Sequence, residues 1–267
     1  MVDQTRNKDF SYFGIQAMWG TTKHLGGRRA TDRLVELCVI TPGSTVLEIG
    51  CGVGVTACHL ARTVGCAVSS VDVSEAMVAW ARRRAERDGV TDRIAFSVAD
   101  ARALPFRDNS FDAVISESVT AFVSDRKQAV REYERVLKSG GRVGMAEGSW
   151  VRSPPPAHLV EFLSRSMQGA VFLEPDGWLE LLEEGNFVDV RGETFGLTAL
   201  DQLASDLSGL SRHDLADRFR ALGSFVGRYL TDAEMRRYVR TLVPSRHTMT
   251  DLFTYFGYGI YTARKRP

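Results

Sequence analysis

Val46-Leu47-Glu48-Ile49-Gly50-Cys51-Gly52-Val53-Gly54 passes within a few residues from an apolar run to a turn built on three glycines. The Pro42-Gly43 turn precedes this stretch, and Val55 to Val64 follows it with a helical pattern. A short buried strand, a glycine turn and a helix open a βαβ unit. In such units the strand's C-terminal end is where ligands sit, and glycines let the backbone approach them closely.

The same alternation continues outward. Ala67 to Val73 reads as a second strand, and Ser74 as the N-cap of a helix that runs to about Asp88 and stops at Gly89. Ile94 to Val98 is a third strand, Ala101 to Ser110 a loop, and Ala113 to Ile115 a fourth strand. Asp125 is placed to cap a helix carrying Val130, Tyr133 and Leu137 at helical spacing, with Lys138 in its last turn and Gly140-Gly141 as its stop. Val143 to Ala146 is a fifth strand. Strands alternating with helices predict an α/β fold with a mainly parallel sheet.

The second half is less regular. Pro154-Pro155-Pro156 makes a stiff connection, helices are expected near 158–168 and 176–184, and 186–195 and 256–264 read as the last two strands of the same sheet. This divides the chain into an N-terminal helical and aromatic segment at 1–43, a core at 44–198, a helical insertion at 199–250 and a final strand at 251–267. The insertion suits a lid or substrate cap, since long insertions at strand ends carry specificity. It suits extra core or a dimer surface equally, which leaves a homodimer open.

Composition narrows the partners. The 267 residues are 44% hydrophobic and 25% charged with a net charge of +1, so no large electrostatic footprint for nucleic acid is expected. Residues 1–10 are polar and charged, which predicts no signal peptide, and no apolar stretch reaches about 18 residues, the length of a membrane span. Cys38, Cys51, Cys58 and Cys66 form no paired Cys-x-x-Cys clips, so no metal is expected, and a cytoplasmic setting with free thiols follows. His59, His158, His213 and His247 read as structural or solvated.

The glycine turn raises the question of its ligand. A nicotinamide fingerprint requires Gly-x-Gly-x-x-Gly or Ala, and Val55 occupies the third position. Glu48, two residues before Gly50, would repel a pyrophosphate but suits a ligand carrying an ammonium and a sulfonium. Asp72 ends the second strand, where an acid can accept from ribose hydroxyls. Asp100 ends the third, where its carboxylate can accept from an adenine amino group. Three successive strands therefore end in an acid beside a bare turn. S-adenosylmethionine has the matching chemistry: two cationic groups, a carboxylate for the backbone N–H groups of the turn, and no phosphate.

At these residues the sequence resembles a known family. Residues 46–54, Val-Asp-Val-Ser-Glu-Ala-Met (71–77), Ala-Asp-Ala-Arg-Ala-Leu-Pro-Phe (99–106), Ser-Phe-Asp-Ala-Val (110–114) and Val-Leu-Lys-Ser-Gly-Gly-Arg-Val (136–143) are similar to the successive motifs of class I S-adenosylmethionine-dependent methyltransferases of the ubiquinone/menaquinone-biosynthesis type. The resemblance implies a seven-stranded Rossmann-like sheet of order 3-2-1-4-5-7-6 with the last strand antiparallel. It implies methyl transfer from S-adenosyl-L-methionine to a small-molecule acceptor, leaving S-adenosyl-L-homocysteine. It puts Gly50, Cys51 and Gly52 under the methionine part, Asp72 on the ribose, Val73 and Met77 on adenine, Asp100 and Ala101 at the base, and Ser116 and Glu117 beside the transferred methyl.

The segment from Phe10 to Gly27, with Trp19-Gly20 and His24, is similar to the one before the first strand in tocopherol, sterol and glycine-betaine pathway methyltransferases. The likeness implies that it closes over the cofactor, with Tyr12 and Trp19 shielding the sulfonium by an aromatic face. Methyl transfer requires alignment and exclusion of water more than a base. Three residues are candidates to assist it: His24, Glu117 after the fourth strand, and Glu147 after the fifth. The alternative is a non-catalytic S-adenosylmethionine-binding or scaffold protein of the same fold.

Overall fold

In the computed structural model, which describes residues 16, 24–167, 169–198, 223, 225–227 and 229–267, Thr45–Ile49 forms strand β1 with four of its five residues buried. That burial on both faces puts it mid-sheet. It pairs in parallel with β2 (Ala67–Asp72) on one side and β4 (Phe111–Glu117) on the other. Beyond β2 lies β3 (Ile94–Val98), and beyond β4 lies β5 (Leu137–Trp150), both parallel. β7 (Phe256–Lys265) pairs antiparallel with β5 and with β6 (Phe187–Gly196). The sheet order is β3-β2-β1-β4-β5-β7-β6, as the family resemblance implies.

Helices cover both faces. Strand pleat sends neighbouring side chains to opposite sides. Val46, Val68, Ala113 and Ile115 thus meet Leu34 of α1 (Gly27–Leu37) and Ala57 of α2 (Val55–His59). Leu47, Ile49, Val114, Val143 and Met145 meet Tyr133 of α4 (Arg126–Val136), Leu159 of α5 (Ala157–Ser166) and Trp178 of α6 (Pro175–Glu184). Between these lies α3 (Glu75–Asp88). Ser74 Oγ accepts from the Met77 N–H at its start, and Gly89, at φ 67°, ends it. Asp125 caps α4 by accepting from the Gln128 N–H at 2.9 Å. α7 (Ala233–Thr241) and α8 (Arg246–Tyr255) precede β7.

The N-terminal helical and aromatic segment supplies α1 at residues 27–37, which packs into the core through Ala30 and Leu34. Several other elements differ from the sequence reading. The last turn of the helix after the glycine turn, Leu60–Val64, is π-helical and ends at Gly65. α4 ends at Val136 rather than at Gly140-Gly141, because Leu137 already pairs with Phe111 and Lys138 Nζ reaches Asp112 on β4 at 2.8 Å. The glycines serve the strand instead. A side chain at Gly141 would meet the Lys138 carbonyl at 2.9 Å and the Asp112 carbonyl at 3.0 Å. Residues 251–255 finish α8, so the final strand starts at Phe256. Tyr12, Trp19 and residues 199–222 lie outside the described residues.

Candidate active site at the strand ends

The C-terminal ends of β1 to β4 open on a cavity of about 370 Å³. Its lining brings together Glu48, Gly50, Cys51, Gly52, Asp72, Val73, Met77, Asp100, Ala101, Glu117 and His24. Residues from five separated stretches converge because parallel strands all end on one rim. Val119, Phe122 and Val123, from the turn after β4, supply an apolar wall.

The glycine turn supplies room. Gly50, Gly52 and Gly54 have φ of 74°, 48° and 79°, a region that side chains disfavour, and a Cβ on Gly50 would overlap Val119. The turn does not supply the expected free donors. The N–H groups of Gly50 and Cys51 both bind the Val71 carbonyl, at 2.7 and 2.8 Å, and that of Gly52 donates to Asp72 at 2.9 Å. Burial pushes the Cys51 thiol up, and the Glu48 and Asp72 charges push it further, so it stays protonated.

The carboxylates differ in surroundings. Glu48 is 4% exposed and accepts from the Ser70 hydroxyl. Burial pushes it well above the usual carboxylate range, and the nearby charges of Glu117 and Asp72 add to that. Asp72 accepts from Gly52 on one oxygen and from the Ser74 N–H at 2.9 Å on the other, yet burial still raises it. Asp100 is more open. Arg102 binds it through the backbone N–H and a guanidinium contact of 2.6 Å, which lowers its pKa. Val73 is mostly exposed at the cavity edge, and Met77 is buried beneath.

Glu117 projects to the α1 and α2 side of the sheet. Thr31 of α1 donates to one oxygen at 2.9 Å and Thr56 of α2 to the other at 2.6 Å. His24 Nδ1 stands 3.1 Å from the first oxygen, off the line of a good hydrogen bond. Burial, the largest single effect, depresses His24, but the Glu117 charge and its contact with Nδ1 together outweigh it and the imidazole pKa is raised. Burial likewise pulls Glu117 upward, and the His24 charge with the threonine bonds brings it below its usual value. Leu25 N–H donates to Ser118 Oγ at 3.2 Å, tying this segment to the end of β4.

Ser116 and Glu147 do not line the cavity. Ser116 is one residue before Glu117 and therefore faces the opposite side of the sheet, sharing its hydroxyl with Thr120 at 3.0 Å. Glu147, fully buried on that same side, accepts from the N–H groups of Val119 at 3.1 Å and Thr120 at 2.8 Å. Burial pushes it up to about 7. It anchors the short turn Thr120–Phe122 that carries the apolar wall. Thr31, Thr56, Ser70 and Arg102 escaped the sequence reading. Only Arg102, two residues after Asp100, left a local signal.

A family profile described as a methyltransferase domain matches residues 47–145. The chain is 40% identical over 121 residues to methyltransferase GfsG of Streptomyces halstedii, covering 45% of this chain and 44% of the relative. It is 34% identical over 157 residues to the 27-O-demethylrifamycin SV methyltransferase of Amycolatopsis mediterranei, covering 54% and 57%. The chain thus spans about half the length of these curated relatives. The crystal structure of the [4+2]-cyclase SpnF superposes with a TM-score of 0.69 at 24% identity over 92% of this chain and 87% of that one, a likeness of fold. Residues 47–145 form a methyltransferase domain, and its motifs and the sheet order around it are those of the class I S-adenosylmethionine-dependent methyltransferases.

Proposed function

We propose that the protein transfers the methyl group of S-adenosylmethionine to a small-molecule acceptor held against Glu117, His24 and the Val119–Val123 wall. One observation carries this reading. The cavity is rimmed by Glu48, Asp72, Asp100 and Glu117, while His24 and Arg102, its cationic side chains among the described residues, are each paired with one of those acids. Such a rim favours a cationic nucleoside and opposes a diphosphate. The Nδ1 of His24 is a buried polar atom without a hydrogen-bond partner, as expected beside a space that a ligand fills.

When bound, the cofactor supplies a methyl carbon already activated by a sulfonium. Asp72 would hold its ribose hydroxyls, Val73 and Met77 would flank its adenine with Asp100 and Ala101 at the base's edge, and Glu48 and Glu117 would face its cationic part. The chain's own work is then alignment and exclusion of water. Glu117 raises the basicity of His24, and the imidazole in its neutral form can receive the proton an acceptor hydroxyl or amine gives up. Glu147 acts at a distance by holding the wall. The described end of the 199–250 insertion runs into α8, which enters β7 beside Trp150. The net charge of +1 supports a small molecule over nucleic acid, and among the described residues no helix is long and apolar enough to cross a membrane.

Calorimetric titration with S-adenosylmethionine and with S-adenosylhomocysteine tests the cofactor assignment. Saturable binding is expected, weakened roughly tenfold or more by Asp72→Ala through loss of charge-assisted hydrogen bonds. No binding, or an unaltered variant, would overturn it. Binding with no S-adenosylhomocysteine formed across a panel of acceptors would instead favour a protein that binds the cofactor without turnover.

A further inference from the structure

Two histidines and an aspartate outside the cavity converge on one point from two helices. His158 lies in the first turn of α5, and His247 and Asp251 lie four residues apart on α8. His158 Nε2 is 3.0 Å and His247 Nε2 3.5 Å from the same Asp251 oxygen, Oδ2. The two imidazoles stack, with ring centres 4.8 Å apart and planes at 23°. The three donor atoms lie within 4.8 Å of one another, the one such group of His, Cys, Asp and Glu found among the described residues.

We propose that His158, His247 and Asp251 form a site for a divalent transition metal, with zinc as the natural occupant. The donor set is two imidazole nitrogens and one carboxylate oxygen, the borderline ligands that suit zinc, and not the all-oxygen shell of calcium or magnesium. Nitrogen and oxygen ligands about 2.0–2.2 Å from zinc stand a little over 3 Å apart in a tetrahedron, close to the separations measured from Asp251. Three protein ligands leave the fourth position to water. Asp251 is mostly covered, whereas the histidines face solvent, so an ion can enter without the helices parting.

The ion's place in the fold gives it a task. α5 follows β5 and α8 leads directly into β7. At the sheet these strands are already joined, since Trp150 pairs with Phe256 and the Val151 N–H binds the Tyr255 carbonyl at 2.9 Å. A metal at 158, 247 and 251 would fasten the far end of α8 to α5. The segment entering α8 would then be fixed relative to the sheet.

The test uses the full chain without an affinity tag, stripped with a chelator and titrated with zinc by calorimetry and with cobalt by visible absorption. One equivalent should bind, with the d–d bands of a nitrogen- and oxygen-ligated site. At a hundredfold excess over the dissociation constant, zinc should raise the unfolding midpoint by roughly 5–10 °C. His247→Gln and Asp251→Asn should each weaken binding roughly tenfold or more, as losing one of three ligands implies. His247 is largely exposed, so its variant will fold, and its circular dichroism spectrum verifies that. Binding that survives both substitutions, or no saturable uptake by the unsubstituted chain, would overturn the proposal. S-adenosylmethionine binding does not enter the measurement, so the metal site and the methyl-transfer reading stand or fall separately.

Discussion

At the scale of single residues, the site is governed by what each acid has beside it. Glu117 and His24 stabilise one another's charged forms. The stability from Glu117's lowered pKa is present above its unfolded value and lost as pH falls through the folded one. The stability from His24's raised pKa is complete below its unfolded value and lost as pH rises through the folded one. The pair therefore contributes most between about pH 4.5 and 6.5, the two unfolded values. Glu117→Gln should drop the His24 pKa below its ordinary value, since burial then acts alone; histidine NMR titration reads this, and an unmoved resonance would refute the coupling. Gly50→Ala should destabilise by about 2–4 kcal/mol, combining the left-handed backbone with the overlap on Val119. Chemical denaturation measures it, and a cost below about 1 kcal/mol would mean the turn yields freely. Glu48, Asp72 and Asp100 could be found from sequence because each lies at or just past the end of a strand and strand ends share a rim. Thr31 and Thr56 could not, because nothing local to either residue points to a carboxylate at Glu117.

At the scale of elements, β5 controls the cavity wall through Glu147. Its carboxyl gathers the N–H groups of Val119 and Thr120, which begin the turn bearing Phe122. Its pKa is pushed up to about 7, so its contribution to stability is complete below its ordinary value near pH 4.5 and lost as pH rises through about 7. The cost of ionising it above pH 8 is on the order of 3 kcal/mol. Glu147→Gln retains an acceptor for the turn but cannot ionise, so the difference in stability between variant and parent should favour the variant increasingly from pH 5 to 8. Urea denaturation across that range checks the slope, and a constant difference would show that Glu147 does not titrate there. The βα units before residue 137 were legible, because apolar runs and caps such as Ser74 and Asp125 act locally. Gly140-Gly141 misled because a glycine pair reads alike as a helix stop and as a close approach between strands, and the Asp112 carbonyl that decides the matter is distant in sequence. Glu147 looked like a rim acid because its face depends on strand register, which the sequence does not display.

At the scale of the whole molecule, the cavity joins the ends of four strands to the segment at His24, so a ligand there engages most of the fold. Ligand binding to the native state alone should therefore raise the global unfolding midpoint. At a hundredfold excess over its dissociation constant, S-adenosylhomocysteine should shift the midpoint by roughly 5–10 °C for a chain of this size. A reduced nicotinamide dinucleotide at the same concentration should leave it unmoved. Its diphosphate would face the Asp72 carboxylate, and Gly50, Cys51 and Gly52 have no N–H left to offer it. Adding salt should not create dinucleotide binding, because Asp72 is partly covered and held by the turn's own N–H groups. Thermal unfolding with each ligand decides the matter: an equal or larger shift with the dinucleotide would mean that the acids at the strand ends do not select the ligand, and the methyl-transfer reading would lose its physical basis.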